Sequence, residues 1–371
     1  VKSSFISRCA NAFHQFDAAT QKHLVEIRDS VVEADCQTLD AWRPQDKDLD
    51  ALTFEAYLIS RGADKTALAT ATVWTRAMLG VNPSDLSALF FLNYCKSGGG
   101  LLAMRSDRKG GGQHLRVRQG TQLFANGLAN TLPMGAIQLN TPVQAVTQRN
   151  QQEVHVQTSE MTLSARKIIT TVPSPVLKDI SFSPPLPPAK LAWIQSSGYG
   201  FYTKAMMEFR SSFWIEKGCC GLVQSFVGPA SVVRDTSSPS DSKYVLTCFM
   251  AGDPGRAWAA KSASEREDSL IVQLQQLFGV ADLRKDFVKM YAYDWVDDQW
   301  SGWGCPCASL TPGVISSFGA DALRQPWHDV HFAGTETAGE WKGYMEGACR
   351  SGERAAAEVI HSLDPAVTSK L

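Results

Sequence analysis

Four groups of residues in this chain have types and spacing that could do chemistry. The first is Gly334-Thr335-Glu336-Thr337, which follows the apolar run Val330-His331-Phe332-Ala333 and precedes a helical pattern that starts near Tyr344. A strand that ends in glycine and feeds a helix places free backbone N–H groups, and the positive end of a helix dipole, at the carboxyl edge of a sheet. An anionic or nucleotide group binds well there, and the Thr335 hydroxyl and Glu336 carboxylate could hold its polar edge. A capped helix without a ligand is the plainer alternative. The second is Lys204, a lone lysine in the strand-like stretch 198–209, which either reaches water or is kept for a purpose. The third is Cys305-Pro306-Cys307, whose C-x-C spacing has no second Cys/His pair nearby, so no metal site is expected. The fourth is Ser369-Lys370-Leu371, which reads as a peroxisomal address for an import receptor.

The elements that must position these groups are α/β in character. With 371 residues the chain exceeds a single comfortable core, so two domains are expected. Net charge is -1 with both signs interspersed, which gives no field to recruit nucleic acid. The hydrophobic share is 44%, and no run approaches the roughly 18 apolar residues of a membrane helix. Nine cysteines without framework spacing suit a reducing compartment. Periodicity predicts a helix over residues 3–18, one helical segment carrying Leu49, Leu52, Ala56 and Leu58, and another from Ser84-Asp85 through Tyr94. After Gly120 it predicts a helix, then short strands at 137–139, 143–146, 154–156 and 161–163, and a buried parallel strand over 167–173. Strands follow at 198–209 and 244–250, a helix at 264–278, and a final helix with Ala348, Cys349, Gly352, Ala356 and Val359 on one face. The glycine runs 98–100 and 110–112 read as turns, because neither follows a strand and opens a helix with Lys-Ser/Thr.

Read as a string, Ala333-Gly334-Thr335-Glu336-Thr337-Ala338, Trp341, Gly343-Tyr344-Met345-Glu346-Gly347-Ala348 and Gly352-Glu353-Arg354-Ala355-Ala356 resemble the flavin-closing segment of the flavin-containing monoamine oxidases. The resemblance implies that Gly334, Thr335 and Glu336 lie along the flavin, that the Met345 amide meets its pyrimidine ring, and that Tyr344 is one wall of an aromatic cage for the substrate amine. The stretch 198–209 with Phe213-Trp214 is similar to the strand whose lysine serves the flavin N5 and the oxygen step, a role the resemblance gives to Lys204. Residues 293–302, with Trp295 among them, resemble the segment that reaches the flavin from its far side. There the chain departs from the animal enzymes' Ser-Gly-Gly-Cys-Tyr, reading Ser301-Gly302-Trp303-Gly304-Cys305-Pro306-Cys307. With Cys305 in the place of the flavin-bonded cysteine, Pro306 replaces the second cage tyrosine. Non-covalent FAD is therefore expected, with Trp303 as substitute wall. Val143 matches the valine whose backbone holds the adenine, and Phe249 a substrate-cavity phenylalanine.

The fold expected is α/β (mixed α+β). A partial, Rossmann-like FAD-binding domain (119–193 and 298–361) is interleaved with a substrate domain of mixed sheet plus helices (1–118 and 194–297), and 362–371 forms a tail. The resemblance implies oxidation of a primary amine through an imine to an aldehyde, with oxygen reduced to hydrogen peroxide. A non-catalytic remnant, or a flavin oxidase of polyamines or amino acids, are the other readings. No Gly-x-Gly-x-x-Gly turn occurs in the 371 residues, although the family opens with one, so weak FAD binding by this chain alone is expected.

Overall fold

The computed structural model describes residues 4–6, 16–150 and 153–364. Ser369-Lys370-Leu371 and most of the helix expected over 3–18 lie outside the described residues. Contacts divide the chain into two interleaved compact units: Val1–Asp35, Asp46–Leu92 and Ser197–Gly313 form one; Cys36–Gln45, Asn93–Ser196 and Val314–Leu371 form the other. The boundaries differ from those read off the sequence at 36–45, 93–118, 194–196 and 298–313. Local bonding explains the larger shifts. Asn93 donates to the carbonyls of Asp40 and Ala41, and Trp341 N–H to Ser97, which ties 93–118 to the second unit. Ser87 N–H donates to Leu310 and Gly313 N–H to Asp50, which ties 298–313 to the first.

The first unit is built on a six-stranded sheet ordered β1 (Ser4–Ile6), β9 (Val223–Ser225), β10 (Val232–Asp235), β11 (Tyr244–Ala251), β8 (Tyr202–Phe209), β12 (Phe287–Asp294). Each of its pairings is antiparallel, where a mixed sheet was expected, because short connections such as that from β10 to β11 return the chain directly beside itself. A small antiparallel pair, β7 (Ser197–Gly198) with β13 (Ser309–Leu310), lies beside it in sequence. Alternation sends Ala205, Met207 and Phe209 of β8, and Leu246, Cys248 and Met250 of β11, into one core with Trp214, Trp258 and the helix Ala263–Phe278. Fully burying each large apolar side chain contributes about 1.5–3 kcal/mol. That helix begins with a capping box between Ser262 and Glu265 and stops at left-handed Gly279.

Three sequence expectations fail in this unit. Ser4–Ile6 is a strand paired with β9, and the helix proper starts at Ala18, capped by Asp17; a short apolar run cannot reveal which period it belongs to. The segment carrying Leu49 to Leu58 is two helices, Lys47–Ala51 and Phe54–Ser60, because the Thr53 hydroxyl caps the second one. The helix expected from Ser84-Asp85 starts at Ala88, those two residues lying in a single 3-10 turn, and it is the Ser87 hydroxyl that accepts from Phe90 N–H.

The second unit holds a four-stranded sheet ordered β4 (Thr162–Ala165), β3 (Glu153–Thr158), β2 (Val143–Asn150), β6 (Ser181–Ser183), and a parallel pair, β5 (Ile168–Thr170) with β14 (Val330–Phe332). β5 is parallel as expected but is not buried, since Ile169 is 40% exposed. The helix Gln122–Ala129 forms, yet buries none of its residues, and 137–139 is not a strand. The final helix, Met345–Leu363, buries Gly347, Ser351 and Ala355, one position away from the face the apolar pattern suggested. Close approach decides that face: a Cβ on Gly347 would meet the Trp341 carbonyl oxygen at 2.3 Å.

Lys190, on the helix Pro188–Ser196, is buried in this unit at 2% exposure. Its Nζ donates to the carbonyls of Ala322 (2.8 Å) and Leu323 (2.6 Å) and lies 3.7 Å from the ring centroid of Phe332 on β14. Burial, with a smaller push from Arg354, lowers its pKa to about 7. A neutral amine still has N–H donors for both carbonyls. Between pH 7 and 10.5 the unfolded chain therefore holds a proton that the folded chain does not, and stability rises with pH across that window. Urea melts from pH 7 to 10 should show this rise in the wild type and its loss in Lys190→Met. An unchanged slope in the variant would contradict the assignment.

Candidate active site

In the first unit, the alternation that buries Ala205 and Met207 puts Tyr202, Lys204, Met206 and Glu208 on the other face of β8. Lys204 lies directly opposite Phe249 of β11 on one side and Tyr293 of β12 on the other. The Tyr202 and Phe249 rings are 5.9 Å apart, and Tyr293 meets Trp295 edge-on at 4.8 Å. The Tyr202 hydroxyl donates to the Ala77 carbonyl at 3.0 Å, so the ring is anchored at its far end. An aromatic row flanking an ammonium group can bind and orient a small organic base.

The same unit carries the loop with Trp303 and Cys305. Trp303 has a left-handed backbone (φ 62) and is 56% exposed. Gly304 packs against Tyr199 so closely that a Cβ there would meet the tyrosine Cβ at 2.3 Å. Cys305 is half-buried, and burial pushes its thiol up to about 12 against the opposing charge of Lys204. The structure thus brings Lys204, Phe249 and Cys305 into one neighbourhood. Tyr202 and Tyr293 join them unannounced by the sequence, since only strand register reveals who faces Lys204.

In the second unit, β14 leads through Ala333 to Gly334, whose φ of 97 is a conformation suited to glycine. Thr335 uses its hydroxyl within the turn, accepting from Gly343 N–H (2.7 Å) and donating to the Tyr344 carbonyl (2.9 Å). Glu336 accepts from Ser174 N–H at 2.8 Å, which joins the turn to the chain leaving β5. Arg354 reaches back from the helix to the Phe332 carbonyl (2.6 Å) and the Thr337 hydroxyl (3.0 Å), and Glu358 bridges it to His331. Tyr344 stands at the N-cap of the 19-residue helix with no side-chain capping bond, its ring 5.3 Å from that of Trp341. Met345 is 51% exposed. The N-cap side chain thus supplies no acceptor to the first-turn N–H groups, an arrangement suited to an anionic group at the helix start. Val143 opens β2 and belongs to the four-stranded sheet, apart from this turn in the pairing.

The pattern of flavin containing amine oxidoreductases matches residues 13–360. The chain belongs to this family. Among amine oxidoreductases it is 30% identical over 326 residues to the flavin-containing amine oxidase of Danio rerio, covering 87% of this chain and 61% of that protein. It is 30% identical over 320 residues to a probable flavin-containing monoamine oxidase A of Dictyostelium discoideum, with 85% and 68% covered. Its fold is similar to cyclohexylamine oxidase from Brevibacterium oxydans (TM-score 0.84, 26% identity, 94% of this chain and 76% of that one). A putrescine oxidase bound to putrescine is equally similar (TM-score 0.84, 25% identity, 93% and 76% covered). The chain thus spans about 61% of the fish relative's length.

The donor set of the second unit fits the flavin that the family name implies: inward-bonded side chains, a glycine-ended strand and an uncapped helix start. Gly334, Glu336 and the Met345 amide are the groups that would hold it, and the helix dipole would favour negative charge there.

The Cys305 thiol can be tested directly. With its pKa pushed from 9.0 up to about 12, it should carry roughly a thousandfold less thiolate at pH 8 than an unperturbed thiol. Timed alkylation with mass mapping should label the exposed Cys349 long before Cys305. Equal rates would contradict the burial argument.

Proposed function

We propose that this chain carries the substrate-handling and flavin-closing parts of an FAD-dependent oxidase of primary amines, with non-covalent FAD, oxygen as acceptor and hydrogen peroxide as product. The observation that carries the reading is the turn from Gly334 to Met345. Its own polar side chains bond inward, and the residue at the helix N-cap makes no side-chain capping bond, which suits a ligand at the helix start. The flavin, when bound, supplies the hydride acceptor for the amine's α-carbon, and the resulting imine hydrolyses to an aldehyde. Tyr344 is one aromatic wall for the amine nitrogen and Trp303 the proposed second, while Phe249 lines the cavity and Trp295 contacts the flavin. Lys204 is the proposed partner of the oxygen step. Val143 is assigned to the adenine through its backbone. A Cys305 thiol held protonated is a poor nucleophile, which favours the non-covalent form. No side chain need act as acid or base, since positioning and charge stabilisation carry the rate.

Weak FAD affinity of this chain by itself is part of the proposal. Within the 371 residues no Gly-x-Gly-x-x-Gly turn is available for the pyrophosphate. The helix Gln122–Ala129 leaves Leu123, Phe124 and Leu128 at least half exposed, and among the described residues β5 and β14 pair only with each other, although parallel strands are ordinarily covered on both faces. Titration with FAD should therefore give loose, sub-stoichiometric binding. The flavin that does bind should lose its visible absorbance when a primary amine is added without oxygen, and regain it with peroxide when air is admitted. Stoichiometric flavin surviving purification would overturn the affinity claim. Bound flavin that no primary amine bleaches would overturn the activity and favour a non-catalytic remnant; bleaching by polyamines or amino acids alone would favour those oxidases.

For location, the proposal is peroxisomal import through Ser369-Lys370-Leu371, a compartment suited to a peroxide producer. A fluorescent fusion that leaves this tripeptide at the end should collect in peroxisomes and disperse when the three residues are removed. An unaltered distribution would dispose of the idea.

A further inference from the structure

Asp298 sits where β12 hands over to the loop that carries Trp303 and Cys305. One of its carboxylate oxygens accepts from the backbone N–H groups of Trp300 (2.9 Å) and Ser301 (3.1 Å). The other accepts from the Tyr293 hydroxyl at 3.0 Å. Its main-chain carbonyl accepts from Trp303 N–H at 2.9 Å and from the Ser301 hydroxyl at 3.0 Å. One residue therefore holds both the last aromatic of the strand and the loop that follows.

What it holds is costly to hold. Gly302 and Trp303 are left-handed in succession, with φ of 83 and 62. A tryptophan in that region is strained and persists only when its surroundings enforce it. The Trp303 ring is not buried as compensation, since the residue is 56% exposed, and Tyr293 is 52% exposed. Tyr293 is the cross-strand neighbour of Lys204, and Cys305, two residues beyond Trp303, is close enough to feel the Lys204 charge. An exposed pair of aromatics, one on a strained backbone, pinned through one carboxylate beside a lysine, is a preorganised surface.

We propose that Asp298 is the positioning residue of this corner, holding the Tyr293 phenol and the Trp303 loop as one rigid aromatic surface beside Lys204. That the surface receives an amine rests on the function proposed above; the positioning itself does not. The bond to Asp298, foremost among the causes, raises the Tyr293 phenol above its usual 10. Lys204, opposite Tyr293 in the sheet, is retained in a variant changed at Asp298, so the comparison isolates the carboxylate.

The test uses the full chain and needs no flavin. Alkaline titration at the phenolate band, with Tyr293→Phe subtracted, isolates one phenol, and acrylamide quenching, with Trp303→Phe subtracted, isolates one indole. Asp298→Asn keeps the size and removes the charge. It should move the Tyr293 titration down toward 10 and raise the quenching of Trp303, with the thermal melt confirming a folded protein. A merely structural role would lower the melting temperature and leave both signals where they were, and that result would overturn the proposal. In protein loaded with FAD, Asp298→Asn should raise KM for a primary amine more than it lowers kcat. A fall in kcat with KM unchanged would overturn the role in amine positioning. If the unaltered loaded protein oxidises no amine, the functional reading fails while the spectroscopic result stands on its own.

Discussion

Strand β8 is hydrogen-bonded on both sides, to β11 and to β12, and this decides where Lys204 can point. A strand with two partners cannot rotate or slip by one residue without exposing an entire apolar set and burying its polar neighbours. Ala205, Met207 and Phe209 are each no more than 1% exposed and belong to the core with Trp214 and the helix Ala263–Phe278. Their burial commits Lys204, Met206 and Glu208 to the opposite face. The lysine's presence in an apolar strand is thus no anomaly of composition. It is the parity of a core that would otherwise have to take up an unpaired ammonium group, at a cost of several kcal/mol.

A comparable economy holds at the end of β14. The turn after Gly334 is rich in groups that could reach a ligand, yet the structure uses most of them to define the turn itself. The Thr335 hydroxyl closes it, Glu336 ties it to Ser174, the Ser351 hydroxyl accepts from Gly334 N–H, and Arg354 clamps strand to helix. Side chains spent in this way make the backbone rigid, and the rigid backbone is what remains to bind. Sequence reasoning assigned Thr335 and Glu336 to a ligand's edge because their types permit it. Their bonds show a second use of the same chemistry, preorganisation of the peptide groups at the helix start.

Elements with strong local signals were legible in the sequence. The helix Ala263–Phe278 is foreshadowed by its apolar spacing, and the final strand, glycine and helix by a short apolar run and a turn residue. Failures came where a local pattern had two physical solutions. The apolar positions of the last helix suggested one stripe, but small residues set the packing face, and a stripe of Gly347, Ser351 and Ala355 carries little hydrophobic signal. The apolar pattern in 120–139 suggests a helix and a short strand; the helix forms with its apolar residues exposed, because burial needs a covering partner and periodicity does not report whether one is present. Thr53 split one expected helix in two because a hydroxyl in the right backbone conformation outweighs the continuity of the apolar pattern.

The same distinction explains why the two candidate regions are not equally readable. The region around Gly334 is a strand, a turn and a helix start within a short stretch of chain, so its geometry follows from local residue order. The region around Lys204 is assembled from residues 202, 204, 249 and 293, which meet only through the register of three strands. A motif can record a local backbone shape, but cross-strand partnership leaves no spacing behind in the sequence. Tyr293 illustrates the point: it stands two residues before Trp295 in a segment that resembles the family's, yet only pairing makes it the neighbour of Lys204. Variation among relatives in what such a face accepts should therefore accumulate at register positions, where side chains can change without disturbing the backbone hydrogen bonds that hold the sheet together.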